Sequence, residues 1–231
     1  MADFSQSTVM ITGGSRGIGL ATARAFLQAG ARVAVCARDK HALAQAELGL
    51  GDLGEVAIFQ ADVRDYRQME SFAEQVLHRF EAIDVLVGNA GKAWMGYFAH
   101  QPVALLDEVL DTNVKGVLYA ARAVLPHMLA RNSGVIVNVC SGAGQAGIAG
   151  LASYCASKFA VLGFTESLAR EVSGQGIRVY GVCPGAVATD MLVEVTGQRE
   201  GIPPERAAEE IVRLAGPHPP VAPGECLEVF G

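Results

Sequence analysis

The sequence predicts an α/β fold built on a parallel sheet. Apolar, β-branched runs alternate with helical patterns along the chain, the signature of successive βαβ units with right-handed crossovers. The first such run leads through a glycine-rich turn straight into a helical pattern. The composition agrees: 51% of the 231 residues are hydrophobic, and 27 glycines stand against 9 prolines. That suits strands buried on both faces. A chain of this length builds one large core and is short for two, so residues 1–231 are expected to form a single domain.

The elements follow in order. Thr8-Val9-Met10-Ile11 is the first expected strand, and residues 12–19 read TGGSRGIG before a helix over 17–29. Glycines let a backbone approach a pyrophosphate closely, and a helix N-terminus offers free N–H groups and a positive dipole end. The spacing is Gly13, Gly17, Gly19 (G-x-x-x-G-x-G), different from the general G-x-G-x-x-G fingerprint. Strands are expected at 31–37, 55–61, 83–87, 134–140, 177–183 and 225–230. Helices are expected at 39–49, 65–80, 102–131, 153–173 and 203–215. Pro102 fits the first turn of its helix, and Pro126 is expected to bend or end that helix near its C-terminal part. The Pro/Gly-rich stretch Gly216–Gly224 reads as a loop.

Ser141, Tyr154 and Lys158 carry the strongest chemical signal. The serine lies thirteen residues before the tyrosine and the tyrosine four before the lysine. Positions i and i+4 of a helix share a face, so Tyr154 and Lys158 stand side by side. A phenol beside an ammonium is a proton donor and acceptor, because the cation favours the phenolate. Ser141 is read as a hydrogen-bond donor to a substrate oxygen that gains charge. It is not read as a nucleophile, since G-x-S-x-G is absent.

Charge and composition exclude other classes. Lys plus Arg number 18 against 24 Asp plus Glu, a net charge of −6 with no basic patch, which argues against nucleic acid or an anionic membrane. The five cysteines form no C-x-x-C pair and are read as buried reduced thiols, fitting a cytoplasmic location. The five histidines are scattered without ligand spacing, so no metal is expected. The N-terminus lacks a secretory signal, and no apolar run reaches a membrane span.

With these motifs in order, the chain resembles the short-chain dehydrogenase/reductases, with T-G-x-x-x-G-x-G near the start and Y-x-x-x-K near residue 155. The match runs from about Thr8 to Thr189 and takes in Asp62, Asn89-Ala90-Gly91, Asn113, Ser141 and Pro184-Gly185. The resemblance implies a Rossmann-type doubly wound sheet of seven strands in the order 3-2-1-4-5-6-7, with helices on both faces. In such a sheet ligands bind beyond the C-terminal strand ends at the switch point, where all these motifs fall.

The resemblance also implies roles. Tyr154 is the general acid for reduction and base for oxidation. Lys158 also binds the nicotinamide ribose. Asn113, in mid-helix, holds a water that links Lys158 to solvent. Dinucleotide contacts carry over to Gly13, Ser15, Arg16, Gly17, Ile18, Gly19, Asp62, Val63, Asn89, Ala90, Gly91, Pro184, Gly185, Val187 and Thr189. Asp62 accepts from the adenine amino group, while the Val187 backbone and the Thr189 hydroxyl hold the carboxamide. Gly88 departs from the commoner N-N-A-G. Cofactor choice turns on the second strand's end, where NAD-using members carry an acid. Here Ala37 takes that position and Arg38 follows, and a guanidinium suits a 2′-phosphate. Arg16 reaches toward the same phosphate, and Asp39 reads as a helix N-cap. NADP is therefore expected over NAD.

The expected function is hydride transfer between NADP(H) and a ketone, aldehyde or secondary alcohol, closest to 3-oxoacyl thioester reductases and carbonyl reductases. The alternatives weighed are a nucleotide-sugar epimerase or dehydratase, which such a short chain disfavours, and a non-enzymatic redox sensor, which the intact Ser/Tyr/Lys/Asn set disfavours. The partner is a small carbonyl or alcohol substrate, and a homo-oligomer through helices 102–131 and 153–173 is expected. Only residues 190–202 separate Thr189 from the next helix, so a short lid and an open pocket are expected, with Gln145, Leu151, Trp94 and Met191 as lining.

Overall fold

Alternate residues of the central strands feed two separate apolar layers, and this two-sided burial builds the sheet. The computed structural model describes residues 3–230, so Met1, Ala2 and Gly231 of the expected domain lie outside the described residues. The strands are β1 (Thr8–Thr12), β2 (Arg32–Ala37), β3 (Val56–Gln60), β4 (Val85–Gly88), β5 (Gly134–Val139), β6 (Ile177–Pro184) and β7 (Cys226–Val229). All pair in parallel, in the order β3-β2-β1-β4-β5-β6-β7, as the resemblance implies. Val9, Ile11, Val85, Val87, Val135 and Val137 face one layer with Phe26, Leu43 and Ile211. Met10, Leu86 and Ile136, between them in sequence, face the other with Phe72, Val76 and Val124. A period of two with both phases apolar is what a sheet covered on both faces requires.

The helices are α1 (Gly17–Gln28), α2 (Lys40–Leu50), α3 (Tyr66–Phe80), α4 (Val103–Leu110), α5 (Gly116–Arg131), α6 (Ala152–Glu171), α7 (Asp190–Thr196) and α8 (Pro204–Ala215). Asp39 caps α2, its carboxylate accepting from the N–H groups of His41 and Ala42. Those bonds, Ala42 first, hold it below the ordinary Asp range. Asp39→Ala is expected to lower the denaturation midpoint; an unchanged midpoint would remove the cap. Among the described residues, no helix is long and apolar enough to cross a membrane.

Several expectations are corrected. The helix expected over 102–131 runs unbroken from Val103 to Arg131 but is not α throughout: residues 111–115 form a π turn, in which the Gly116 N–H donates to the Asp111 carbonyl five residues back. Asn113 sits in this turn and is fully buried, and its amide bonds lie outside the helix, where they favour the extra residue. Pro126 neither ends nor breaks α5, which runs on to Arg131. Residues 190–202, expected only as a lid, contain α7, whose N-cap Thr189 accepts from the Leu192 N–H at 3.4 Å. The cysteines are not all reduced. Cys183 and Cys226 form a disulfide with Cα atoms 6.2 Å apart, while Cys36, Cys140 and Cys155 are free and buried. Neighbouring parallel strands bring the pair together across 43 residues of sequence, a proximity no spacing motif encodes.

Candidate active site

A cavity of about 1250 Å³ opens at the C-terminal ends of the strands, at the β1–β4 switch in strand order. Ligand pockets commonly span ~300–1,000 Å³, so this one has room for a dinucleotide and a second molecule. Of the residues expected in catalysis or cofactor binding, all line it except Gly19, Asp62 and Asn113.

The glycine turn is shaped by close backbone approach. Gly13 has φ +67°, and a Cβ there would stand 2.9 Å from the Ala90 Cα. Gly19 lies below the turn, where a Cβ would meet the Gly13 carbonyl oxygen at 2.3 Å. Gly19 is thus a packing glycine that lets α1 abut the turn. Asn89 also braces the turn. Its amide donates to the carbonyls of Thr12 and Gly13 at 2.9 and 3.0 Å. Gly88 has a local reason too: it pairs with Asn138, and a Cβ would stand 2.8 Å from the Asn138 Oδ1. These bare, N–H-rich walls beside the start of α1 fit a pyrophosphate.

Ser141 follows β5, and Tyr154 and Lys158 stand on α6. All three line the cavity. The Ser141 Oγ accepts from the Ala143 N–H at 3.2 Å, so its proton remains available to a ligand. Lys158 is 3% exposed. Its Nζ donates to the Val139 carbonyl at 2.8 Å and lies 5.7 Å from the Tyr154 ring centroid. Asn113 contributes from behind. Its Oδ1 accepts from the Lys92 N–H at 2.7 Å, and its Nδ2 donates to the Lys92 carbonyl and to the Ser157 Oγ, both at 2.9 Å. Ser157 in turn donates to the Tyr154 carbonyl at 2.7 Å. This chain fixes the π turn to the Tyr154 segment of α6.

The other end of the cavity is a network of charges. Arg38, at the end of β2, donates to Glu108 of α4 at 3.2 Å, and Lys92 donates to the same carboxylate at 2.6 Å. The Lys92 bond, then Arg38, hold the Glu108 carboxyl below its ordinary range despite partial burial. Asp62 is not among the lining residues and pairs with Arg64 at 2.6 Å. Burial raises its carboxyl, but the Arg64 bonds outweigh this and hold it low. An adenine amino group would share the Asp62 carboxylate with Arg64, two residues on. Arg16 pairs with Glu194 of α7 at 3.3 Å, with both side chains well exposed.

Gln145, Leu151 and Met191 line the cavity as expected; Trp94 does not, and Met95 stands there instead. The Trp94 ring packs where a Gly96 Cβ would go, at 2.7 Å. Sequence reasoning missed Ile148, Leu192, Val195 and Phe230 among the lining. The α7 residues had the amphipathic spacing of a short helix as a signal; Phe230 had none. Cys140, beside Ser141, is inert: burial pushes its thiol up to about 11. Among the described residues, one group of three thiols or carboxylates stands close enough to hold an ion: Cys140, Cys183 and Cys226, within 4.8 Å of one another. Two of these are joined to each other.

Comparison with known proteins agrees with this geometry. Residues 7–200 match the family described as short chain dehydrogenase. The 3-oxoacyl-(acyl-carrier-protein) reductase of a Synechocystis species is 36% identical over 193 residues, spanning 83% of this chain and 78% of that protein. The NADPH-dependent pterin aldehyde reductase of Arabidopsis thaliana is 36% identical over 196 residues, spanning 82% and 78%. Among solved structures, a variant of actinorhodin polyketide ketoreductase with NADPH superposes with a TM-score of 0.93 at 33% identity, covering 99% of this chain and 98% of that one.

Proposed function

The chain belongs to the short-chain dehydrogenase/reductase family, oxidoreductases acting on CH–OH groups and the matching carbonyls, and from that premise we propose an NADP(H)-dependent reductase of ketones or aldehydes. Tyr154 is its general acid, and residues 1–231 act as one cofactor-binding and catalytic unit. The observation that carries this is the placement of Ser141, Tyr154 and Lys158 on one wall of the cavity that the glycine turn enters.

NADPH, when bound, supplies the hydride. The protein's part is to hold the carbonyl and deliver the proton. The Ser141 hydroxyl donates to the carbonyl oxygen and shares its growing charge. The Tyr154 hydroxyl gives that oxygen its proton, and the Lys158 ammonium stabilises the phenolate left behind. Asn113 is a positioning residue. Its direct bonds to Lys92 and Ser157 fix α6 against the loop after β4. Pro184, Gly185, Val187 and Thr189 line the cavity and would hold the carboxamide.

The preference for NADP rests on Ala37 and Arg38 at the end of β2, both lining the cavity, together with Arg16. A 2′-phosphate would compete with Glu108 for the Arg38 guanidinium. Arg38→Ala is expected to raise the KM for NADPH by roughly 10- to 100-fold, the equivalent of a charge-assisted hydrogen-bond set of about 1.5–3 kcal/mol. The KM for NADH should stay nearly constant. Equal changes for both cofactors would defeat this assignment. The whole reading is tested by following NADPH oxidation against a panel of ketones and aldehydes: binding without turnover would leave only a cofactor-binding protein.

The assembly we infer is a homo-oligomer; the Cys183–Cys226 disulfide takes away the reduced-thiol argument for a cytoplasmic environment. Val103 of α4 and Phe159 of α6 are 70% and 46% exposed, which supports pairing through these helices.

A further inference from the structure

We propose that Phe230 is the substrate-selecting wall of this cavity, favouring carbonyl compounds with an apolar or aromatic arm, and that the Cys183–Cys226 crosslink holds it in place. The inference rests on the carbonyl-reductase reading above.

Phe230 lies one residue past β7, and its ring seats on two glycines. A Cβ at Gly185 would stand 3.0 Å from the ring's Cδ1, and one at Gly142 3.6 Å from its Cε1. These glycines directly follow Pro184 and Ser141. The ring therefore abuts both the loop with the hydrogen-bonding serine and the loop expected at the nicotinamide. It is 57% exposed and lines the cavity. An aromatic face left open beside the reacting centre gains most by covering an apolar substituent.

The support for this ring is thin apart from the crosslink. β7 is a four-residue edge strand paired with β6 alone. Cys183 is in register with Glu228 and Cys226 with Gly181, so the disulfide runs diagonally across the two strands. Gly181 makes room for it, since a Cβ there would stand 3.0 Å from the Cys226 Sγ. Glu228 adds a second tie by accepting from the Gln145 Nε2 at 2.9 Å. A dithiol reductant would break the crosslink in a two-electron exchange: the protein disulfide becomes two thiols and the dithiol becomes a disulfide. β7 would then keep its ladder, the Glu228 bond and the packing of Val229 and Leu227 against the core.

The test compares methyl ethyl ketone with benzylacetone, which carries the same methyl ketone and a terminal phenyl ring. Phe230→Ala is expected to lower kcat/KM for benzylacetone relative to methyl ethyl ketone by about tenfold, with the KM for NADPH within about twofold of wild type. Phe230→Leu, which keeps an apolar wall, should fall between. Dithiothreitol should shift the wild-type ratio in the same direction and leave the Phe230→Ala ratio unchanged. Equal effects on both ketones, or none, overturn the wall. Five alkylatable thiols in unreduced protein overturn the crosslink's part. If wild type reduces neither ketone, the carbonyl-reductase reading fails. Binding of the two ketones to the protein with NADP+, followed by saturation-transfer NMR, then still decides: a loss confined to benzylacetone supports the wall, and any other pattern overturns it.

Discussion

Tyr154→Phe is expected to lower kcat by about 10²- to 10⁴-fold, the usual contribution of a positioned general acid, while the Kd for NADPH stays within about twofold. The substitution removes a single hydroxyl and keeps the ring. The backbone carbonyl of residue 154 still accepts from Ser157, so α6 and the π turn stay joined. Stopped-flow reduction of a ketone reads the chemical step, and NADPH fluorescence titration reads binding. A variant with kcat within tenfold of wild type would remove the phenol from the proton-donor role. Equal losses in binding and turnover would instead make Tyr154 part of the cofactor site.

Lys158→Ala should be the more damaging change. The ammonium is buried and bonded to the Val139 carbonyl at the last residue of β5. Its removal takes away the cation beside Tyr154 and leaves that carbonyl short of a partner. Turnover is expected to fall by at least about 10²-fold, and stability by about 1–3 kcal/mol for the unsatisfied carbonyl. Lys158→Met separates the two effects, because it retains much of the buried aliphatic stem. Denaturant midpoints should then partly recover while kcat does not. Recovery of both would reduce Lys158 to a packing residue, and an effect on neither would take it out of the site.

The cofactor end was legible only in part, and the reason is side-chain competition. Arg38 and Arg16 could be placed near a 2′-phosphate from their positions after β2 and in the glycine turn. That each already has a carboxylate partner, Glu108 and Glu194, could not. Those partners come from α4 and α7, far away in sequence. Asp62 shows the same limit at short range: its place after β3 could be read, but its capture by Arg64 depends on a local turn.

Sequence alone determined the strand–helix alternation, the glycine turn and the shared helix face of Tyr154 and Lys158, because each depends on contacts between residues near one another in the chain. The match of its motifs to a known pattern extended this to the strand order. Tertiary structure decided what adjacency of distant segments creates: the π turn around Asn113, the Cys183–Cys226 crosslink, and the seating of Phe230 on Gly142 and Gly185. Each joins segments that meet only when the sheet is assembled, so no local pattern of residues records it.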